Sequence, residues 1–149
     1  MNEELEKRLH HEELTLAANN KRAIAFFIDE ILLSFILIIA LWDSFVQASS
    51  TEEIILLTNS FVLEFMMMKI IYQSFFVMQY GATLGKLAMK IRVIEIKTLN
   101  NPNVLVALNR GIIRVISEML LYLGFLWGIL NPARQTWHDL SAKTLVVNA

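Results

Sequence analysis

The stretch Ala23-Ile-Ala-Phe-Phe-Ile-Asp-Glu-Ile-Leu-Leu-Ser-Phe-Ile-Leu-Ile-Ile-Ala-Leu-Trp42 decides the fold of this 149-residue chain. Only Asp29, Glu30 and Ser34 interrupt its apolar character. A helix of this length extends about 30 Å, which matches the hydrocarbon thickness of a bilayer. The stretch therefore predicts a first transmembrane helix over residues 23–42.

Two further apolar runs lie downstream of this stretch. Residues 54–80 are long enough to cross a bilayer with some tilt, and residues 112–130 form a third run. The polar segment 43–53 contains no Lys or Arg and predicts the turn between the first two spans. The sequence therefore predicts spans at about 23–42, 54–80 and 112–130.

The amino-terminal residues 1–22 are polar and densely charged. They lack the basic start and early apolar run of a secretory signal peptide. We expect a short solvated or interfacial helix here, on the cytoplasmic side, followed by a membrane domain over residues 23–147.

The composition supports a membrane protein and excludes several other classes. The apolar fraction is 56% and the charged fraction 18%, against about 45–50% and about 25% in soluble domains. The 14 acidic and 13 basic residues nearly cancel, so no overall field would attract nucleic acid. The chain has no cysteine, which excludes disulfides and thiolate metal sites. We expect no metal, no cofactor and no nucleic-acid partner, and the lipid bilayer as the surrounding medium.

Two short segments have the composition of strands. Residues 91–97 nearly alternate and are rich in β-branched side chains, and residues 143–147 resemble them. The segment 81–114 that contains the first of them carries six Lys and Arg but a single acid, Glu95. We expect the two strands to pair beside the membrane.

The distribution of Lys and Arg predicts the orientation. Of the 13 such residues, 12 lie in the amino-terminal segment, the basic segment or the tail, and only Lys69 lies inside a span. These three regions should therefore be cytoplasmic. A cytoplasmic tail favours a third run that enters and returns, broken at Gly124 or Gly128, although a full crossing remains open. The predicted fold class is an all-α membrane protein with two full transmembrane helices, a third hydrophobic helix or re-entrant hairpin, and a small cytoplasmic β pair.

Polar residues inside the first two spans need partners. Asp29 and Glu30 lie roughly 10 to 12 Å deep by helical rise, where a bare carboxylate costs a few kcal/mol. On an antiparallel second helix, Tyr72 and Gln73 lie at the same depth, and Lys69 lies about one turn deeper. Lys69 can therefore lean toward Glu30.

A second polar stripe leads into the third run, because Arg110, Arg114 and Glu118 are spaced by four and share one helical face. Two interpretations of these charges stay open. They form buried ion pairs that lock the helices together, or they form an ion or proton pathway.

Motifs of soluble enzymes are not matched. The segment 81–86 has three residues between its glycines and Leu87 after its lysine, whereas a phosphate loop needs four and a Ser or Thr. No nucleophile, base and orienting group can be assembled, so we expect no enzymatic activity.

The chain resembles the RDD family of small bacterial membrane proteins, which are named for one arginine and two aspartates. The resemblance rests on an ordered set of motifs that covers most of residues 21–147. These motifs are Lys21-Arg-Ala-Ile-Ala-Phe-Phe-Ile-Asp29, Gly81-Ala-Thr-Leu-Gly-Lys86, Ile91-Arg-Val93, Asn109-Arg110, Arg134-Gln-Thr-Trp-His-Asp-Leu140 and Thr144-Leu-Val-Val147.

The resemblance implies that the signature residues are Arg22, Asp29 and Asp139, and that the protein lies in the bacterial inner membrane. It also implies a role in transport, with cation/proton antiport attributed to some members. The chain departs from the common pattern at Lys143, where the family often has glycine, and the region 115–132 is short for two full spans.

The leading interpretation is a multi-pass inner-membrane protein, homo-oligomeric or part of a larger membrane complex, that takes part in ion or small-solute transport. The alternative is a non-transporting accessory or assembly subunit. The candidate pathway residues are the signature residues Arg22, Asp29 and Asp139, supported by Glu30, Lys69, Gln73, Arg110, Arg114 and Glu118.

Overall fold

The computed structural model describes residues 2–120 and 122–149. Helices dominate it, and two strands form one small antiparallel sheet. The elements in chain order are α1 (Glu3–His11), α2 (Asn19–Ala40), α3 (Trp42–Gln47), α4 (Thr51–Ser60), α5 (Val62–Tyr80), α6 (Leu84–Ala88), β1 (Ile91–Glu95), α7 (Val104–Met119), α8 (Leu123–Leu130), α9 (Trp137–Ala142) and β2 (Thr144–Asn148).

Helix α2 is long and apolar enough to cross a membrane. It begins four residues before the predicted start, so the signature arginine lies in its first turn. Its buried residues Ala25, Asp29 and Leu33 recur every four positions and define one inward face. Large apolar side chains such as Phe35 and Ile39 are more than 60% exposed on the other side.

The second apolar run is a bent pair rather than one straight helix. Helices α4 and α5 meet at Phe61 with an angle of 52°. Helix α4 begins at Thr51, before the predicted start, because the Ser50 hydroxyl accepts a hydrogen bond from the Glu53 backbone N–H (3.2 Å) and caps it. The segment predicted as a turn contains the short helix α3.

The third run is also a bent pair, and it begins at Val104 because the Asn103 side chain caps α7 (3.0 Å from the Val106 backbone N–H). The angle between α7 and α8 is 105°, as in a broken span or a re-entrant element.

The prediction of a break at Gly124 or Gly128 was wrong, because both glycines lie within α8 and the bend precedes them. A Cβ atom at Gly124 would approach the Trp137 ring to 2.9 Å, and one at Gly128 would approach Thr136 to 2.7 Å. These glycines therefore let α8 pack closely against the carboxyl-terminal segment instead of breaking the helix.

The predicted strand pairing is confirmed. Strands β1 and β2 are antiparallel, with Ile91 opposite Asn148 and Glu95 opposite Thr144. Leu16 adds an isolated bridge to Val147, which attaches the amino-terminal segment to the same sheet.

Helix α1 was expected to be a solvated or interfacial helix, and the structure corrects this for one of its faces. Leu9 is buried against Ile94 and Leu145 of the sheet. The Arg8 guanidinium donates hydrogen bonds to the backbone oxygens of Ile96 (3.1 Å) and Lys97 (2.9 Å). The amino-terminal segment is thus a packed part of the domain.

Candidate functional site

The first polar centre, the Asp29 site, consists of Asp29, Tyr72, Thr83 and Gly85. The Asp29 carboxylate is fully buried. It accepts hydrogen bonds from the Tyr72 hydroxyl (2.7 Å), the Gly85 backbone N–H (2.8 Å) and the Thr83 hydroxyl (2.6 Å). Three neutral donors therefore satisfy a carboxylate that would otherwise be costly to bury.

The local sequence explains how this site forms. Gly81 ends α5 in the left-handed conformation (φ 71°), and Thr83 then begins the short helix α6. This turn brings the Gly85 backbone against α2, where a Cβ atom would clash with the Ala25 carbonyl oxygen and approach the Asp29 carboxyl carbon to 2.9 Å. Only glycine permits this approach.

Tyr72, which we expect at the same depth as Asp29, contacts Asp29 directly. Arg22 and Asp29 are seven residues apart and therefore lie on one face of α2. Among the residues that the structure describes, no Lys, Arg or His forms an ion pair with Asp29, and Arg22 pairs with Asp139 instead.

The second polar centre, the Asp139 site, consists of Asp139, Arg22, Arg110 and Thr136. Asp139 is fully buried and forms ion pairs with Arg22 (2.5 Å) and with Arg110, which is itself fully buried. The Thr136 hydroxyl (2.9 Å) and backbone N–H (3.1 Å) also donate to the carboxylate. Helices α2, α7 and α9 thus meet on one acid.

The electrostatics of this centre favour the ionised form of Asp139. Burial alone would raise the pKa of Asp139, but the charges of Arg22 and Arg110 outweigh it and hold the pKa well below its ordinary value. The neighbouring His138 is buried, and burial lowers its pKa well below the ordinary value, so its ring stays neutral near pH 7.

The third polar centre, the Glu30 network, consists of Glu30, Lys69, Arg114 and Glu118. The Lys69 ammonium lies 2.8 Å from Glu30 and 2.7 Å from Glu118. Arg114 lies 3.6 Å from Glu30 and 3.4 Å from Glu118, and it donates to Gln73. The predicted approach of Lys69 to Glu30 is confirmed, and the stripe on α7 contributes two of the four charges.

The candidate residues therefore separate into three centres, each of which includes a residue of α2. Two acids and two bases balance in the Glu30 network, and two arginines surround one acid at the Asp139 site. Sequence reasoning did not select Thr83, Gly85 or Thr136 as site residues. The glycine motif Gly81–Lys86 was the signal that could have identified Thr83 and Gly85. Its spacing does not fit a phosphate loop, so its glycines require another structural reason. Within the described ranges, no three His, Asp or Glu side chains are grouped to hold a metal ion.

The fold and these centres define a small helical protein with one apolar span, two bent apolar helix pairs and charged residues between them. A sequence model of the RDD family matches residues 16–143, which include all three signature positions. The chain belongs to the RDD family, and its family and apolar helices indicate a membrane protein. Comparisons with curated proteins and with solved structures give no match.

Proposed function

We propose that this RDD-family protein takes part in moving a cation or small solute across the bilayer, with proton coupling at Asp29. The observation that carries the proposal is a fully buried carboxylate in an apolar span that is held by neutral donors. Ionisable groups inside a membrane mark ion and proton pathways more often than most buried polar groups do.

The hydrogen bonds of Asp29 suit a group that gains and loses a proton. Tyr72 and Gly85 both donate to one oxygen, Oδ1, whereas Oδ2 accepts from Thr83. A proton added to Oδ2 could donate to the Thr83 hydroxyl, which both donates and accepts. Protonation would then reverse one hydrogen bond and leave the other two in place.

Asp139 is less suited to this role, because its two arginines keep it ionised. We assign it, together with Arg22, to holding α2, α7 and α9 together beside the Asp29 site. Of the signature residues, Asp29 would thus couple transport to a proton, and Arg22 and Asp139 would form an ion pair that holds the helices together.

We further propose that the protein lies in the bacterial inner membrane as a multi-pass, oligomeric protein with a cytoplasmic amino terminus. The excess of Lys and Arg in the amino-terminal segment, the basic segment and the tail supports this orientation. The bridge from Leu16 to Val147 also supports it, because these regions then share one side. Oligomerisation would help to enclose a path, since few helices surround the Asp29 site.

The substitution Asp29→Asn tests the coupling role. The asparagine oxygen can accept from Tyr72 and Gly85, and its amide can donate to Thr83, so the fold should persist while the titratable group is lost. We expect normal insertion and assembly but a loss of most of the cation or proton flux into liposomes containing the purified protein. Glu64→Gln, at an exposed position of α5, is the matched control and should retain flux. Normal flux in Asp29→Asn liposomes would remove Asp29 from the coupling step.

The alternative function is a non-transporting accessory subunit of a larger membrane complex. Its support is the Glu30 network, in which two acids and two bases are mutually paired. These ion pairs would fix the positions of α2, α5 and α7 relative to one another. Particle mass in mild detergent separates the two candidates. A closed homo-oligomer supports the transport proposal, and stable association with a larger partner supports the accessory role.

A further inference from the structure

A cavity of about 230 Å³ lies beside α2, α6 and α8. Its lining includes the cations Arg22, Lys86 and Arg114. The apolar lining includes Phe26, Phe27, Phe125, Leu126 and Ile129. The cavity is therefore amphiphilic, with cations and hydrocarbon side chains both in its lining.

The charges that line the cavity are unbalanced. Among the residues that the structure describes, three cations but no Asp or Glu contribute to the lining. Arg22 is paired with Asp139, and Arg114 with Glu30 and Glu118. Lys86 is only 9% exposed, yet within residues 2–120 and 122–149 its ammonium has no hydrogen-bond or ion-pair partner. Such a group calls for an anion.

The electrostatic setting of Lys86 supports this need. Burial, followed by repulsion from Arg114, lowers the pKa of the Lys86 ammonium to about 7, although Asp29 partly opposes the effect. Repulsion from Arg110 and Arg22 adds to the lowering. An anion beside Lys86 would relieve both the repulsion and the cost of burial.

The position of the cavity indicates where the anion would come from. Lys86 follows the end of α5 by six residues, and Arg22 lies in the first turn of α2, so these two cations lie where spans end. Headgroups of a bilayer lie at this level. The cavity also reaches the membrane-facing surface, since its lining residues Phe27 and Ile129 are 62% and 63% exposed.

We propose that this cavity binds an anionic phospholipid, with the phosphate beside Lys86 and the start of one acyl chain along Phe27, Leu126 and Ile129. This site is separate from the proposed transport role, and it would exist in an accessory subunit as well. The headgroup phosphate would balance the positive charge of the cavity lining, and the bound acyl chain would cover apolar side chains of α8.

Lipid retention by the full-length protein in mild detergent tests the proposal. Native mass spectrometry would compare dioleoylphosphatidylglycerol, which is anionic, with dioleoylphosphatidylcholine, which is zwitterionic. We expect one phosphatidylglycerol per protomer, retained on the order of fivefold to tenfold more than phosphatidylcholine. Lys86→Met, which keeps the apolar stem and removes the ammonium, should abolish this preference. Lys97→Met, at an exposed position, should keep it.

Two further measurements keep the proposal open to refutation if Lys86→Met fails to fold. Ile129 lines the cavity and is exposed, so Ile129→Trp should fill the space that the acyl chain would occupy. This substitution should lower phosphatidylglycerol retention without changing any charge. Glycerol 3-phosphate, which has the headgroup chemistry without acyl chains, should not displace the lipid. Displacement by glycerol 3-phosphate would assign the cavity to a soluble anion instead. Equal retention of both lipids by the unaltered protein would overturn the proposal.

Discussion

At the scale of single residues, the two signature aspartates are buried alike but held differently. Asp29 accepts from neutral donors, whereas Asp139 lies between two guanidinium groups. Helical spacing suggested that Arg22 and Asp29 share a face of α2. It could not show that Asp139, 117 positions along the chain, takes Arg22 as its partner, because that contact depends on how the helices pack.

The substitution Asp139→Asn should destabilise the fold strongly. It would leave Arg22 and the fully buried Arg110 without a counter-charge, and breaking a buried ion pair in this way costs about 3–5 kcal/mol. We expect a large loss of monodisperse protein in detergent and a much lower unfolding temperature. Asp29→Asn is the control, since it keeps all three hydrogen bonds of its site. An unchanged unfolding temperature in Asp139→Asn would show that the ion pairs do not hold α2, α7 and α9 together.

The same site predicts the direction of acid sensitivity. Because the pKa of Asp139 is lowered in the folded state, its stabilising contribution is fully present above the ordinary value of 3.8. It is lost as the pH falls below that value and the carboxylate takes up a proton. The free energy of unfolding in detergent, measured against pH, should therefore fall less below about pH 4 in Asp139→Asn than in the unaltered protein, although Asp139→Asn starts from a lower stability.

At the scale of elements, the apolar runs and the strand pair were predictable, but the helix ends and bends were not. Hydropathy averages over many residues, so it located the runs well. The starts of α4 and α7 depend on single capping side chains, Ser50 and Asn103. The bend at Phe61 directly follows the polar residues Thr58, Asn59 and Ser60, which a hydropathy average over many residues smooths out. The bend before Leu123 lies inside apolar sequence.

One element boundary carries a prediction about stability. Lys143 ends α9 in the left-handed conformation (φ 53°) with an exposed side chain. The resemblance to the RDD family predicts glycine at this position. A non-glycine residue in this conformation costs about 1–2 kcal/mol. Glycine removes this cost, but it also gives the unfolded chain more conformational freedom, which offsets part of the gain. We expect Lys143→Gly to stabilise the protein by roughly 0.5–1 kcal/mol, measured by unfolding in detergent.

Lys97→Gly is the matched control for this change. Lys97 is also an exposed lysine, but its φ is not positive, so glycine there should lower stability or leave it unchanged. A decrease in stability for Lys143→Gly would mean that the Lys143 side chain makes a stabilising contact in the membrane-bound protein. That contact, and not the backbone conformation, would then explain why this chain has lysine at position 143.

At the scale of the whole molecule, the sheet joins distant parts of the chain on one side. Strand β1 follows the second apolar run, β2 follows the third, and Leu16 precedes the first. All three segments therefore lie together, as the proposal that they share one side of the membrane requires. The sequence predicted this arrangement from the placement of Lys and Arg, and the pairing supplies an independent geometric reason for it.

Labelling of single cysteines tests this arrangement, and the natural absence of cysteine makes the experiment direct. The exposed positions Gln47, Lys97 and Ala149 report on the α3 region, the end of β1 and the tail. An impermeant maleimide should label Gln47→Cys in intact cells. Lys97→Cys and Ala149→Cys should react only after permeabilisation, because α7 and α8 bend through 105° and β2 returns to β1. Labelling of Ala149→Cys from outside would place β2 across the membrane from β1, and the paired sheet could not then exist in the inserted protein.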